Sequence, residues 1–252
     1  IILMGCSDNV KEEVLDRYDN GQKKLVVKYK GEGSNEVIVS RITYRANGDI
    51  IISENPSDKT KMVRYYYDNK DADDLFYYSQ IDLERNYKDG KKDGLEKSWY
   101  ENGQLHYEGN YKDGKKDGLY KEWGMFGERI EVNYKDGKQD GLWKAWHING
   151  QLMSEWNFKD DKADGLQRGW YENGQLKEEG NYKDGKRDGL WKGWYENGQL
   201  YYELNYKDGR QDGLWNTWYE NGQLKWEENY RDGERDGLWK QWYENGQIEY
   251  EG

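Results

Sequence analysis

From Asp93 onward the chain repeats itself. Asp-Gly-Leu recurs at Asp93, Asp117, Asp140, Asp164, Asp188, Asp212 and Asp236, each step being 24 residues except one of 23. A fixed period of this length means that each unit contacts mainly its neighbours, so the chain is expected to be a stack of small copies. A globule closed around one pocket is not expected.

One copy runs from Asp188 to Gln211. Two aromatic stretches flank Asn197-Gly198, the dipeptide favoured in two-residue type I′ hairpin loops, where both central residues take positive φ. That loop sets a register. It pairs Tyr195 with Leu200, Trp191 with Leu204 and Gly189 with Tyr206 on one face, and Trp194 with Tyr201 and Lys192 with Glu203 on the other. The charges were not used to set the register, so they test it. The same rule opposes Lys97 to Glu108, Lys144 to Glu155, Arg168 to Glu179 and Lys240 to Glu251, and only Asn216 opposite Glu227 breaks the pattern. Each pair is worth roughly 0.2–1 kcal/mol, so it informs on register more than it stabilises.

Consecutive hairpins are joined by Tyr-Lys-Asp-Gly-Lys-x-Asp-Gly, as at Tyr182–Gly189. Gly accepts positive φ there, and Asp bonds its own backbone. The expected fold is all-β: an elongated, single-layer antiparallel meander of tandem 24-residue β-hairpins, twisted and curled. Both faces carry large apolar groups, and curling hides one face far better than two. Some aromatics are therefore expected to stay exposed.

Charged residues make up 35% of the 252 residues, a polarity that ordinarily favours disorder. The 13 Trp and 24 Tyr oppose this, because aromatic rings bury a large area each. A net charge of −11 disfavours nucleic acid, which needs clustered Lys and Arg. No apolar run is long enough to span a bilayer.

The chain opens Ile1-Ile2-Leu3-Met4-Gly5-Cys6-Ser7 and turns polar at once. Leu-x-Gly-Cys after an apolar run resembles the lipobox of bacterial lipoproteins, with Cys6 as the lipidated residue and 1–5 as the remnant of a signal peptide. The alternative is a frayed terminus with an incidental cysteine. A single Cys excludes an intramolecular disulfide. Residues 6–85 are read as divergent N-terminal β repeats that cap the regular array at 86–252. Worn turns are seen at Tyr18–Gln22, Asn47–Ile50 and Tyr67–Asn69. Strands are expected at Glu36–Ser40 and Ile50–Ile52, a short helix is read at 11–17, and Pro56 marks a loop. A separate small domain is the other reading of this region.

The units resemble the second variant of the membrane occupation and recognition nexus (MORN) repeat, through Tyr182–Trp191 and Trp194–Leu200 and their counterparts. Departures fall at Trp123–Glu128, where Asn-Gly is lost, and at His147-Ile148, which replaces Tyr-Glu. Bacterial members of the family are often labelled YwqK-type antitoxins, and many look like cell-envelope lipoproteins. The resemblance implies a hairpin sheet used for protein or lipid contact. Some eukaryotic relatives carry a phosphoinositide kinase domain, but no kinase motif occurs here.

Three kinds of residue could carry chemistry. His106 and His147 occupy Lys and Tyr positions of the repeat and read as repeat variation. With no Ser-His-Asp, phosphate-loop or zinc spacing, no catalytic residue, cofactor or metal is expected. Paired acids such as Asp113/Asp117, Asp184/Asp188 and Asp208/Asp212 could offer oxygens to calcium, but two carboxylates are few for six to eight ligands. The ladder of Trp99, Trp146, Trp170, Trp194, Trp218 and Trp242 is the candidate ligand surface. Packing is the simpler role for these rings, with Lys177 and Lys225 expected to cover Trp170 and Trp218.

The expected function is that of a non-enzymatic scaffold at the bacterial cell envelope (the outer membrane in a two-membrane cell). It would be anchored in the membrane through a lipid on Cys6 and would bind another protein rather than nucleic acid. The alternatives are an antitoxin-like neutraliser of a co-encoded toxin and a glycan- or choline-binding module. Self-association through the C-terminal edge strand stays open.

Overall fold

The computed structural model describes residues 10–30, 37–44, 50–55, 60–66 and 81–252. Cys6, residues 47–49 and 67–69 of the expected turns, and Pro56 lie outside the described residues. The described chain contains strands and turns and no helix. It forms two compact units, 1–118 and 119–252. That division falls within the repeats, while 85/86 marks where the sequence becomes regular.

The first unit holds β1 (Val10–Arg17), β2 (Lys23–Lys30), β3 (Val37–Tyr44), β4 (Ile50–Asn55), β5 (Thr60–Tyr66), β6 (Ile81–Lys88), β7 (Lys91–Lys92), β8 (Gly94–Trp99) and β9 (Leu105–Lys112). Apart from two-residue β7, each strand pairs antiparallel with the next. Segment 11–17, read as a short helix, is instead strand β1. Val14 pairs with Val26 across from it, so cross-strand pairing overrides the weak local helical pattern. Tyr18–Gln22 makes the turn seen in the regular repeats, with Gly21 N–H donating to Tyr18 O at 2.8 Å. Among the described residues, the buried apolar ones of this unit are Val26, Val27 and Ile42.

Strand β10 (Lys115–Trp123) spans the division. The second unit continues with β11 (Arg129–Lys135), β12 (Lys138–Trp146), β13 (Leu152–Lys159), β14 (Lys162–Ala163), β15 (Gly165–Trp170), β16 (Leu176–Lys183), β17 (Lys186–Trp194), β18 (Leu200–Lys207), β19 (Arg210–Trp218), β20 (Leu224–Arg231), β21 (Glu234–Arg235), β22 (Lys240–Trp242) and β23 (Ile248–Glu251). It too is an antiparallel meander of tandem β-hairpins.

The two kinds of turn exchange the roles expected of them. At Asn197-Gly198 only the glycine has positive φ, +83°. Gly198 N–H donates to Tyr195 O at 2.9 Å and Tyr195 N–H to Gln199 O at 2.8 Å, which makes a three-residue loop, 196–198, with a glycine bulge. The two-residue loop with both φ positive is the linker: Asp184 at +50° and Gly185 at +82°, closed by Lys183 opposite Lys186. Among the described residues, every non-glycine with positive φ is an aspartate. Asp tolerates this region because its short side chain bonds locally.

The longer loop moves the register by one next to the turn, and a bulge one step further moves it back. Trp194 therefore pairs with Leu200, not Tyr201, and Tyr195 is opposite Gln199, not Leu200. Beyond the bulge, Trp191–Leu204, Gly189–Tyr206 and Lys192–Glu203 pair as expected. All five charge pairs and the Asn216–Glu227 exception hold. The turn type was misread, but two compensating one-residue shifts kept the register. At Trp123–Glu128 the Asn-Gly sequence is missing and the turn survives: Gly124 N–H reaches Glu128 O at 2.8 Å, with Gly127 at φ +104°.

The core of the second unit lies on the face carrying Trp191, Leu204, Val132 and Ala145, which are 1%, 7%, 5% and 2% exposed. A single layer reaches such burial because rings lie down over glycines. A Cβ on Gly180 would sit 2.2 Å from Cδ2 of Trp191, and one on Gly193 would sit 2.3 Å from Cε1 of Tyr202. Tyr182 stacks on Trp156 at 5.3 Å and meets Trp191 edge-on at 5.2 Å.

Two glycines separate the physics of space from that of φ. Gly180→Ala should cost about 2–3 kcal/mol by pushing Trp191 off its seat. Gly185→Ala meets open space, and should cost about 1 kcal/mol from its positive φ alone. Urea unfolding of both variants measures this. Equal losses would mean that Trp191 moves aside freely.

Candidate functional site

The six ladder tryptophans are half-buried, and none is fully open. Each faces an aliphatic partner directly: Leu105, Leu152, Leu176, Leu200, Leu224 or Ile248. Trp99 belongs to the first unit. In the second, the ladder backbone is tied from one hairpin to the next. Tyr171 Oη donates to Trp194 O, Tyr195 Oη to Trp218 O and Tyr219 Oη to Trp242 O, each at 2.8 Å. Burial pushes the pKa of all three phenols up and keeps them protonated as donors. His147, standing at a Tyr position, makes the equivalent contact through Nε2, 3.1 Å from Trp170 O. His106 instead lies tilted against the Tyr100 ring, with centroids 4.4 Å apart.

The expected cover over the rings is corrected. Lys177 and Lys225 are the extra residues of the bulges, because Trp170 and Trp218 pair with Leu176 and Leu224. Their ammonium groups lie over Tyr171 and Tyr219, at 5.5 and 5.2 Å. Arg129, which no sequence pattern picked out, lies 3.8 Å over Trp146. Large apolar groups that stand open include Phe126 at 78% and Ile148 at 66% in turns, and a row of Asp-Gly-Leu leucines at one repeat position: Leu190 at 41%, Leu214 at 54% and Leu238 at 77%.

The aspartate loops are spent on the backbone. Asp164 Oδ2 accepts from Asp184 N–H at 3.2 Å, and Asp161 Oδ1 from Gln139 N–H at 2.7 Å. Asp160, Asp164, Asp184 and Asp188 line a cleft of about 560 Å³, but Lys159, Lys162 and Lys183 line it with them. Among the described residues no group of three or more acids, histidines or cysteines is placed to hold a metal.

Two features were missed. The first is that the charge pairs do not stop at the hairpin. In the second unit Glu155 stands between Lys144 and Arg168, Glu179 between Arg168 and Lys192, and Glu203 between Lys192 and Asn216. Alternating charge thus crosses the sheet, with ion pairs of 3.1 Å at Lys144–Glu155, 3.3 Å at Arg168–Glu179 and 2.7 Å at Lys192–Glu203. In the first unit Arg64, Glu84, Lys97 and Glu108 alternate in the same way. The 24-residue period carried this signal: a Lys-to-Glu step of 11 leaves 13 to the next cation.

The second is a set of buried polar residues on the core face, at positions where other repeats hold Trp or Leu. Glu96 is 3% exposed and accepts from Arg85 Nε at 2.5 Å, Lys92 Nζ at 2.8 Å and Tyr107 Oη at 3.0 Å. Glu228, 7% exposed, accepts from Arg235 Nε at 2.7 Å and Tyr230 Oη at 2.9 Å, and bonds Trp226 Nε1. Gln167, 2% exposed, bonds Glu178 at 3.1 Å, while its Oε1 is buried without a partner.

Burial is the largest influence on Glu96 and pushes its pKa up. The bonds from Lys92, Arg85 and Tyr107 together outweigh it, and the pKa falls below the ordinary glutamate value. A carboxylate held down in this way contributes stability above its unfolded pKa and loses it as pH falls through the folded value. Glu96→Gln should lower stability at pH 7 by about 2 kcal/mol and flatten the loss on acidification below about pH 4.3. Urea midpoints from pH 7 to pH 3 check this, and an unaltered pH slope would show that Glu96 is not the titrating group.

The family described as MORN repeat variant matches residues 92–113, 139–160, 163–184, 187–208, 211–232 and 235–252. No curated protein matches the chain. Among solved structures, the crystal structure of TcdB2-TccC3 is similar at 10% identity with a TM-score of 0.24, over 91% of this chain and 16% of that one. The crystal structure of TcdB2-TccC3-Cdc42 is similar at 10% identity with a TM-score of 0.20, over the same shares. This chain therefore spans about a sixth of the length of those chains. With its hairpins, both turns and the Trp-Tyr-Glu-Asn-Gly-Gln-Leu run accounted for, the chain belongs to the MORN repeat variant family.

Proposed function

We propose that the chain is a non-catalytic scaffold whose repeat sheet binds another protein, held at a bacterial cell envelope by a lipid on Cys6. The observation that carries the binding half is the row Leu190, Leu214 and Leu238, open by 41% to 77% beside a charge ladder that largely neutralises itself. Apolar groups repeated on a neutralised face suit protein contact. Sugar stacking is less favoured, since the ladder tryptophans are half-buried and face Leu or Ile. An antitoxin role would be one form of the same protein contact, with the toxin as partner.

Two measurements test this. A photo-crosslinking residue at Leu214 in the full chain should capture one protein species in the native cell, and the same residue at exposed Lys207 should capture far less. Equal, diffuse capture at both positions would remove the reading. For the anchor, which rests on Leu3-Met4-Gly5-Cys6 alone, Cys6→Ser should move the protein from the membrane to the soluble fraction and abolish fatty-acid labelling. Labelling that survives the change would refute lipidation at Cys6.

A further inference from the structure

The charge ladder of the second unit has one gap, and the gap is a site. Asn216 on β19 stands where the alternation calls for a cation, opposite Glu203 on β18 and Glu227 on β20. Glu203 is held from its other side by Lys192 at 2.7 Å. Glu227 makes no ion pair among the described residues, although Lys240 is opposite it on β22. Asn216 Oδ1 is shielded from solvent and has no hydrogen-bond partner. Three neighbouring strands thus present carboxylate, carboxamide and carboxylate side by side, and no cation stands between the two glutamates. A buried acceptor left unpaired is costly, so a partner whose docking turns the Asn216 carboxamide toward its own donor gains more here than on an ordinary surface.

The surroundings restrict what that donor can be. Residues two apart on a strand share a face, so Leu214 and Trp218 flank Asn216 on its own side of β19. Leu214 is 54% exposed and Trp218 half-buried. The occupant therefore carries positive charge, several N–H donors and apolar surface on both sides. We propose that Asn216, Glu203 and Glu227 form a docking site for an arginine side chain of a partner protein, set between apolar residues that seat on Leu214 and Trp218. A planar guanidinium can serve two acceptors at once and lie against an indole, which an ammonium does less well. The net charge of −11 draws a basic segment toward the chain from a distance.

The site rests on the reading of the chain as a protein-binding scaffold, and its test can fail separately. The probe is the capped tripeptide acetyl-Leu-Arg-Leu-amide, with the citrulline tripeptide as a neutral control of nearly the same shape. The indole N–H signal of Trp218 in the full chain should shift saturably with the arginine peptide, with at least tenfold weaker binding of the citrulline peptide. Asn216→Lys fills the gap with the chain's own cation and should abolish the shift without loss of folding, and Glu227→Gln should remove most of the tenfold preference. Equal binding of the two peptides, or wild-type binding by Asn216→Lys, would overturn the site. Should Asn216→Lys fail to fold, Glu227→Gln decides by the same preference. Protein capture at Leu214 that persists in a folded Asn216→Lys would sink the arginine site and leave the scaffold reading standing. Capture of nothing by the wild type would sink the scaffold reading instead.

Discussion

A lone two-stranded hairpin is marginal in water, and what holds each one here is the hydrogen bonding that ties it to the next. Three such bonds recur at fixed steps. The turn tyrosine reaches the next ladder carbonyl, as Tyr171 does to Trp194 O. The turn asparagine reaches the next turn, as Asn173 Nδ2 does to Glu196 O at 3.3 Å. The linker glycine reaches back one unit, as Gly185 N–H does to Ala163 O at 2.8 Å. These bonds explain why Tyr, Asn and Gly recur where they do. Asn197 is needed twice, accepting Gln199 N–H through Oδ1 at 2.8 Å and donating to Glu220 O through Nδ2 at 3.1 Å.

Burial follows from the same neighbour-to-neighbour logic. Gly180 has no side chain, so Trp191 from the adjoining strand occupies the space above it and becomes 1% exposed. Where a repeat places Glu96 or Gln167 at the tryptophan position, the hole is filled by polar groups that must find partners. Glu96 finds three, and Gln167 leaves one oxygen unserved. A repeat protein tolerates such variation because each substitution is absorbed by the units beside it.

Legibility differed by element. Strand pairing was readable because Lys–Glu opposition at a constant spacing reports register directly, and Lys192–Glu203 survived even though the turn was misassigned. The turn was misread because Asn-Gly suits both a two-residue loop and a three-residue loop with a glycine bulge. What marks the three-residue loop here is its own bonding: Gly198 N–H to Tyr195 O at 2.9 Å and Gln199 N–H to Asn197 Oδ1 at 2.8 Å. The half-burial of Trp194 was equally out of reach, since it depends on Leu200 facing it after the bulge. Segment 11–17 looked helical for want of a visible partner, which is β2.

By itself the sequence determined the period, the hairpin, the antiparallel order and the face on which each charge lies, because these follow from local chemistry and simple counting. Only the tertiary structure decided which aromatics are covered, which aspartates take positive φ, and that Asn216 Oδ1 is left without a partner where the charge alternation breaks. Burial and electrostatic surroundings belong to pairs of chain segments, and a linear pattern carries no record of which side chain lies over which glycine.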